Sequence, residues 1–225
     1  MVSTVGIAGI TGKFGRSVAR HILAANPEVS LRGFCRNPAK LPVALSSSPR
    51  ITIQQGNSDD SSAALSFVKG CDVVLCCYLG DNTLMTDGQR VLVDACEEEK
   101  VERYIASDYS LDFTKLEHGQ LFVKDPMKRI KEYLETKQHV KGVHVLIGVF
   151  METFWSQFFG VWNGQERKLK FWGDGTEKWE STTYDNAAEY VAAVALDESA
   201  VGVQKCKSFP SPHSRLRRIF TKWKW

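Results

Sequence analysis

Three glycines near the amino terminus constrain the fold more than any other feature of the sequence. An apolar run at residues 5–8 leads into Gly9, Gly12 and Gly15, and a helical pattern follows. After a strand, this spacing allows a tight turn, a close approach of backbone to pyrophosphate, and close packing of helix on strand. The helix amino terminus adds free N–H groups and the positive end of its dipole. The sequence therefore predicts a dinucleotide-binding unit at the start of the chain.

Apolar runs and helical patterns continue to alternate up to about residue 150, as they do in a parallel sheet covered on both faces. The predicted strands are 5–8, 30–35, 51–55, 73–77, 103–106 and 143–148. The predicted helices are 14–25, 61–69, 85–99 and 126–137. We expect an α/β fold in which residues 1–150 form a doubly wound parallel Rossmann sheet.

The pattern changes after residue 150. Residues 151–162 carry five aromatic side chains at helical spacing, which predicts a helix on the sheet or a wall of a substrate pocket. Residues 169–172 and 179–184 flank a glycine-rich turn and predict a strand, turn and strand, followed by an alanine-rich helix at 186–196. We expect residues 151–203 to form a small, incomplete C-terminal substrate lobe.

The basic residues are concentrated at the end of the chain. From Val201 onward there are seven Lys or Arg and no Asp or Glu, whereas the preceding 200 residues carry 22 basic and 26 acidic side chains. A mildly acidic body argues against nucleic-acid binding, which requires a basic face on a folded surface. The segment 204–225 contains two prolines and no amphipathic period, so we expect it to be a disordered basic tail.

Several classes of protein are disfavoured by what the sequence lacks. No apolar run approaches the roughly 18 residues of a membrane helix, and no secretory pattern opens the chain, which favours the cytosol. The six cysteines form no CxxC pair, and the five histidines show no metal-ligand spacing. We therefore expect no membrane insertion, no disulfide framework and no metal.

The end of the second predicted strand indicates which dinucleotide binds. NAD sites usually have an acidic residue there, which binds the ribose 2′-hydroxyl. This chain instead has Arg36 at that place, 21 residues after Gly15, with Lys40 close behind. A guanidinium pairs well with a 2′-phosphate, and Lys13 and Arg16 add positive charge. The sequence thus predicts NADP as the cofactor.

Five segments together resemble the NmrA-like and isoflavone-reductase-like branch of atypical short-chain dehydrogenases, and fungal members most of all. The segments are GIAGITGKFGRSVARHIL, RGFCRNPAKL, IQQGNSDD, VERYIASDYSLD and FWGDGTEKW. The resemblance covers roughly residues 4 to 200. It implies an NADP-bound Rossmann domain with a smaller substrate lobe, in enzymes of secondary metabolism that reduce small phenolic molecules or in regulators that sense dinucleotides.

The resemblance also implies places for individual residues. Phosphate-loop residues would be Gly9, Thr11, Gly12, Lys13, Phe14 and Gly15. The 2′-phosphate ligands would be Arg36 and Lys40. Residues beside the adenine would be Asn57 and Ser58, and those bordering the cofactor would be Tyr78 and Leu79. The nicotinamide end would be lined by Ser107, Asp108 and Tyr109, which makes Ser107 and Tyr109 candidate catalytic residues.

The proton donor is less clearly marked than the cofactor site. Reductases of this family use a lysine early in the helix that follows the fifth strand, and Met127 occupies that position here. Lys124 and Lys128 lie one turn before it and next to it, and either is a candidate. A Tyr133-xxx-Lys137 pattern resembles the pair of typical short-chain dehydrogenases, but it comes too late in its helix and we expect a coincidence.

Two classes of function remain open on this evidence. One is an NADP-dependent reductase of a small, aromatic or conjugated metabolite. The other is a non-catalytic dinucleotide-sensing regulator that acts on a protein partner, which Met127 favours. Because the resemblance stops near Val203, we expect a C-terminally truncated or shifted ending, an open substrate pocket, and cofactor binding with poor turnover.

Overall fold

A seven-stranded parallel sheet organises the chain. The computed structural model describes residues 1–170, 173–174 and 179–206. The strands of the sheet are β1 (Thr4–Ala8), β2 (Ser30–Cys35), β3 (Ile51–Gln55), β4 (Val73–Cys76), β5 (Arg103–Ile105), β6 (Lys141–Leu146) and β11 (Gly202–Lys205). The strand order across the sheet is β11-β6-β5-β4-β1-β2-β3, and every neighbouring pair in it is parallel. The six predicted strands are confirmed within two residues at each end.

Helices cover both faces of this sheet. They are α1 (Lys13–Ala25), α2 (Val43–Ser46), α3 (Ser61–Val68), α4 (Gln89–Glu98), α5 (Asp125–Glu135), α6 (Met151–Phe154) and α7 (Tyr184–Leu196). One apolar cluster joins α1 and α7 to the sheet, and a second joins α3, α4 and α5 to the opposite face. The doubly wound Rossmann architecture is therefore confirmed, and it brings the carboxyl ends of the strands to one edge.

The sheet extends further along the chain than the sequence indicated. We expected residues 151–203 in a substrate lobe, but α7 packs beside α1 and β11 forms a seventh strand on β6. β11 lies at the edge of the sheet, where even Val203 is partly exposed, so its sequence does not need the apolar run that marks a buried strand. Residues 184–205 thus belong to the sheet and its helical layer, while the division of the chain into domains stays a prediction.

The segment that follows β6 is short and irregular. β7 (Val149–Phe150) pairs with β10 (Ser181–Thr182), and β8 (Trp162–Asn163) pairs with β9 (Lys168–Leu169) as a hairpin. The predicted helix over 151–162 is wrong beyond Phe154, where the chain turns and Gly160 adopts a φ of +61°. Parts of the predicted strand 169–172 and of the glycine turn, and the predicted tail beyond residue 206, lie outside the described residues.

Arg103, at the start of β5, ties α7 to the sheet. Its guanidinium donates hydrogen bonds to three carbonyl oxygens at the end of α7, those of Val194 (3.2 Å), Ala195 (2.9 Å) and Asp197 (2.7 Å). The Arg103 side chain is buried. The last carbonyl groups of a helix receive no hydrogen bond from an N–H of the helix itself, so they need donors from elsewhere. Arg103 therefore acts as a buried cap that keeps α7 in place.

Replacement of Arg103 by leucine is expected to lower the free energy of unfolding by roughly 2–4 kcal/mol, because buried carbonyls lose charged donors. Arg32 is a matched control, since its guanidinium donates to the Ser66, Phe67 and Lys69 carbonyls at the end of α3 but stays partly exposed. We expect about 1 kcal/mol or less from Arg32→Leu. Urea denaturation of both variants tests the difference, and equal losses would contradict it.

Candidate functional site

The turn between β1 and α1 has the geometry of a phosphate-binding loop. Gly9 has a φ of +79°, and its N–H donates to the Phe34 carbonyl of β2 at 2.8 Å. The Gly12 N–H then donates to the Gly9 carbonyl at 2.9 Å, which closes the loop. A Cβ atom at Gly9 would lie 2.8 Å from the Cys77 carbonyl oxygen, so a side chain does not fit there. The loop therefore requires glycine for both its conformation and its closeness to β4.

The amino terminus of α1 is open to a ligand. No side chain caps it, and the first helical bond runs from the Arg16 N–H to the Gly12 carbonyl. The N–H groups of Lys13, Phe14 and Gly15 consequently have no acceptor within the helix. A Cβ at Gly15 would lie 2.6 Å from the Gly9 carbonyl oxygen, which keeps this turn narrow. These glycine-lined amides fit the pyrophosphate of a dinucleotide.

Positive charge stands at the end of β2, where the ribose end of a dinucleotide would lie. Arg36 and Lys40 are both exposed, and neither makes an ion pair with a described residue. The Arg36 carbonyl accepts a hydrogen bond from Gln55 Nε2 at 3.1 Å, which fixes the backbone but leaves the guanidinium available. The Asn37 side chain accepts from the Ala39 N–H and starts the turn that carries Lys40. Both cations are therefore placed on one short turn.

The other predicted cofactor neighbours follow β3 and β4. Asn57 is exposed just after β3, and Ser58 lies against Gly88, where an added Cβ would be 3.1 Å from the serine Cβ. Tyr78 is half-buried after β4, whereas Leu79 is 89% exposed. Burial raises the pKa of the Tyr78 phenol, and the positive charge of Arg36 acts in the opposite direction. Thr11 is half-buried in the phosphate loop.

A buried amide that the sequence did not reveal, that of Gln89 at the start of α4, ties the end of β5 to the turn before α4. Gln89 is fully buried, and its Oε1 accepts from the Ser107 N–H at 3.0 Å and the Tyr104 hydroxyl at 3.2 Å. Its Nε2 donates to the Met85 carbonyl at 2.7 Å. The Ser107 hydroxyl donates to the Tyr78 carbonyl at 2.6 Å. Ser107 thus lies at the carboxyl edge of the sheet, as predicted. Its hydroxyl hydrogen is already donated to the Tyr78 carbonyl, which joins the ends of β4 and β5.

Tyr109 is buried in an aromatic cluster over α1. Its ring centroid lies 4.6 Å from that of Phe14, which also contacts Phe150 at 5.3 Å. The Tyr109 hydroxyl lies 4.0 Å from Cys77 Sγ, and burial raises the pKa of this phenol well above its ordinary value. Phe150 stacks on Tyr184 at 4.1 Å, and the Lys13 ammonium lies over the Tyr184 ring. Tyr109 is therefore a weak acid in this environment.

The two candidate lysines before and within α5 differ in their surroundings. Lys128 donates from its ammonium group to the Leu116 carbonyl oxygen. Lys124 makes no such bond among the described residues and is half-buried. Burial lowers the pKa of Lys124, and the Asp108 carboxylate at the end of β5 raises it. Met127 turns towards the same segment, since its sulfur accepts from the Ser110 hydroxyl at 3.6 Å. Lys124 is the better placed of the two to exchange a proton near β5.

The Tyr133 and Lys137 pair lies elsewhere. The Tyr133 hydroxyl and the Lys137 ammonium both donate to Asp94 Oδ1 of α4, each at 2.6 Å. Lys137 and Arg90 also flank the Tyr133 ring. The pair is at the carboxyl-terminal end of α5, whereas Ser107 follows the carboxyl end of β5. A connection between α4 and α5 accounts for these residues.

The chain belongs to the family of NAD(P)H-binding proteins. The match to this family spans residues 9–144, more than half of the chain, and includes the phosphate loop, Arg36 and Lys124.

No curated protein matches the sequence. Among the described residues, no helix is long and apolar enough to cross a membrane, and no group of three or more acidic, His or Cys side chains is arranged to hold a metal.

Solved structures with the same fold are similar to most of this chain. One described as AtPrR2 with NADP+ and (+)pinoresinol has a TM-score of 0.74 at 19% identity and matches 91% of this chain and 70% of its own. An isoflavone reductase has a TM-score of 0.71 at 17% identity, with 91% and 69% covered. The NADPH-dependent quinone oxidoreductase QOR2 from Escherichia coli, complexed with NADPH, has 0.70 at 22% identity, with 88% and 67% covered. The expected likeness of fold to isoflavone-reductase-like proteins is confirmed.

Proposed function

We propose that the protein is an NADPH-dependent reductase that transfers a hydride to a small conjugated or aromatic molecule. The observation that carries this proposal is Lys124, a half-buried cation without a hydrogen-bonded partner among the described residues, on which the Asp108 carboxylate that follows β5 acts electrostatically. The solved structures named above include a reductase and an oxidoreductase, which supports the reductase over the regulator.

The phosphate loop would hold the cofactor through backbone rather than side chains. The amides of Lys13, Phe14 and Gly15 are suited to the pyrophosphate, and Gly9 and Gly15 leave the space that it needs. NADPH, when bound, supplies the hydride. Its reduction of a carbonyl or conjugated alkene leaves negative charge on the substrate, which a nearby acid must neutralise.

Lys124 is the residue that we assign to proton delivery. Burial lowers its pKa, which makes its ammonium a stronger acid than an exposed lysine, and Asp108 keeps the ammonium form populated. Lys128 is less suited because the Leu116 carbonyl holds its ammonium group. Tyr109 is also less suited because burial raises its pKa. Ser107 is assigned to positioning the ends of β4 and β5.

Oxidation of NADPH with a panel of enones, quinones and aldehydes tests the proposed activity. Consumption of NADPH with at least one panel member is expected, together with a reduced product. Tight NADPH binding without consumption of any panel member would favour the dinucleotide-sensing regulator. The same assay tests the expectation of poor turnover from an open substrate pocket.

Preference for NADPH over NADH is expected to depend on Arg36. Arg36→Ala should weaken NADPH binding by about 1–3 kcal/mol, the size of a lost charged hydrogen bond, and leave the affinity for NADH nearly unchanged. Lys69→Ala is a control, since this exposed cation at the end of α3 lies away from the β2 turn. Calorimetric titration of both cofactors measures the effect, and equal affinities in the unmutated protein would contradict the prediction.

A further inference from the structure

Lys13, the first residue of α1, places its ammonium group over an aromatic ring. Its Nζ lies 4.1 Å from the centroid of the Tyr184 ring. Lys13 is exposed and makes no hydrogen bond or ion pair within the part of the chain that the structure describes. The face of a ring attracts a cation without using its N–H groups as a hydrogen-bond acceptor would. The ammonium is therefore held in one direction and still has donors for a ligand.

The Tyr184 ring is itself fixed by the segment that follows β6. It stacks on Phe150 of β7 with 4.1 Å between the ring centroids and 10° between the ring planes. Its hydroxyl lies 3.1 Å from Thr153 Oγ1, and its backbone N–H donates to the Glu152 carboxylate at 3.0 and 3.1 Å. A side chain that rests on a fixed surface loses less freedom when it binds an anion. The ring thus prepares Lys13 for a ligand.

The ring draws Lys13 towards one side of β1. Phe150 follows β6, and Tyr109, which follows β5, contacts Phe14 next to Lys13. β5 and β6 lie on one side of β1 in the sheet, whereas β2, which ends just before Arg36, lies on the other side. The Lys13 ammonium is therefore directed away from the place assigned to the 2′-phosphate and towards the nicotinamide end of the site.

The two carboxylates that adjoin Tyr184 have other partners. Asp185 Oδ1 lies 3.0 Å from His21 Nε2 and accepts from the Ser17 hydroxyl at 3.4 Å, both further along α1. Glu152 accepts from the Tyr184 backbone N–H. Neither carboxylate forms an ion pair with Lys13. The positive charge of Lys13 is consequently available to an anion that binds beside the phosphate loop.

We propose that Lys13 binds the nicotinamide-side phosphate of the cofactor's pyrophosphate, and that Tyr184 is a positioning residue that holds the ammonium there. Lys13 is the exception to backbone binding in the phosphate loop, since its side chain adds to the amides of the α1 amino terminus. From its place in the sequence alone, Lys13 adds charge for the 2′-phosphate; its contact with Tyr184 favours the pyrophosphate instead. The inference goes beyond the proposed reductase function and concerns cofactor binding, so it does not depend on turnover.

Fragments of the cofactor distinguish its phosphates. Adenosine 2′,5′-bisphosphate carries the 2′-phosphate and only the adenosine-side phosphate, whereas 2′-phospho-ADP-ribose carries both pyrophosphate phosphates and no nicotinamide. Calorimetry measures the affinity of the full chain for both fragments and for NADPH. Lys13→Met is expected to weaken NADPH and 2′-phospho-ADP-ribose about tenfold each, the size of a lost charged hydrogen bond, and to leave the bisphosphate within about twofold.

Arg36→Ala is the matched control, because it removes a cation assigned to the 2′-phosphate and should weaken all three ligands alike. An equal loss for all three ligands in Lys13→Met would overturn the proposal by placing the lysine at the adenosine half. A loss for NADPH alone would also overturn it, because the contact would then be with the nicotinamide ribose or ring. So would unchanged affinity for all three.

Two substitutions of Tyr184 test its positioning role. Tyr184→Leu removes the ring face and is expected to weaken NADPH and 2′-phospho-ADP-ribose about threefold, the size of an exposed cation–π contact. Tyr184→Phe keeps the ring, loses only the hydroxyl contact with Thr153, and should bind like the unmutated protein. Thermal unfolding checks that each variant is folded.

A double variant separates positioning from a merely structural role. In the Lys13→Met background, Tyr184→Leu should cost no further affinity, because the ring acts through the lysine. The same loss with and without Lys13 would overturn the positioning role, and so would unchanged affinity in Tyr184→Leu. Should Tyr184→Leu fail to fold, the fragment series on Lys13→Met still decides the proposal, since Lys13 is exposed and its replacement leaves the core untouched. If no substrate of the panel consumes NADPH, the reductase function fails while these affinities still decide the role of Lys13.

Discussion

Alanine in place of Gly15 should abolish tight NADPH binding while the sheet remains folded. The added Cβ would lie 2.6 Å from the Gly9 carbonyl oxygen and 3.1 Å from the Ile10 Cα, both backbone atoms that cannot move aside without opening the loop. We expect at least a tenfold loss of affinity, because displaced amides no longer converge on the pyrophosphate. Overpacking of this kind also lowers stability by roughly 1–3 kcal/mol. Fluorescence titration with NADPH and thermal unfolding measure the two effects.

Gly70→Ala separates the loss of stability from the loss of binding. Gly70 follows α3 with a φ of +72°, and a Cβ there meets no atom within 4 Å. The left-handed backbone costs an alanine about 1 kcal/mol, so this variant is destabilised without touching the phosphate loop. It is expected to bind NADPH normally. If Gly15→Ala bound NADPH as Gly70→Ala does, the assignment of the loop would be wrong.

The sequence predicts those parts of the site whose residues can be recognised from their near neighbours along the chain. Gly9, Gly12 and Gly15 follow a strand at fixed spacing, and Arg36 stands at the end of the next strand, so both positions depend only on neighbours along the chain. Six of the seven strands in the large sheet are likewise apolar runs between turn residues. The structure brings these local units together at one sheet edge because parallel strands all end there.

The parts that the sequence did not reveal depend on contacts between distant residues. Asp108 and His144 are 36 positions apart, and nothing in either segment marks their pairing. Gln89 was hidden in a helical pattern, although it is the buried acceptor for Ser107 and Tyr104. β11 was missed because a short edge strand has no apolar run. Lys124 and Lys128 could be distinguished only once the Leu116 carbonyl was found to hold one of them.

Replacement of Lys124 by methionine is expected to lower kcat for NADPH oxidation by at least about 100-fold, the usual contribution of a general acid. NADPH binding should stay intact, because the contacts with the cofactor are assigned to the phosphate loop and to Arg36 and Lys40 rather than to Lys124. In the unmutated protein, activity should fall as pH rises through the pKa of Lys124, since the donor must carry its proton. Burial lowers that pKa, so the fall comes at lower pH than for an exposed lysine.

Two controls decide whether the effect belongs to Lys124. Lys128→Met removes a neighbouring ammonium that is bonded to the Leu116 carbonyl and should cost far less activity. Tyr133→Phe removes the hydroxyl that contacts Asp94 and should retain most activity with an unchanged pH profile. Steady-state rates and NADPH affinity are measured for all three variants. A loss of activity in Tyr133→Phe greater than that in Lys124→Met, with both proteins folded and binding NADPH, would transfer proton delivery to the tyrosine, because a residue that only joins α4 to α5 has no reason to limit turnover.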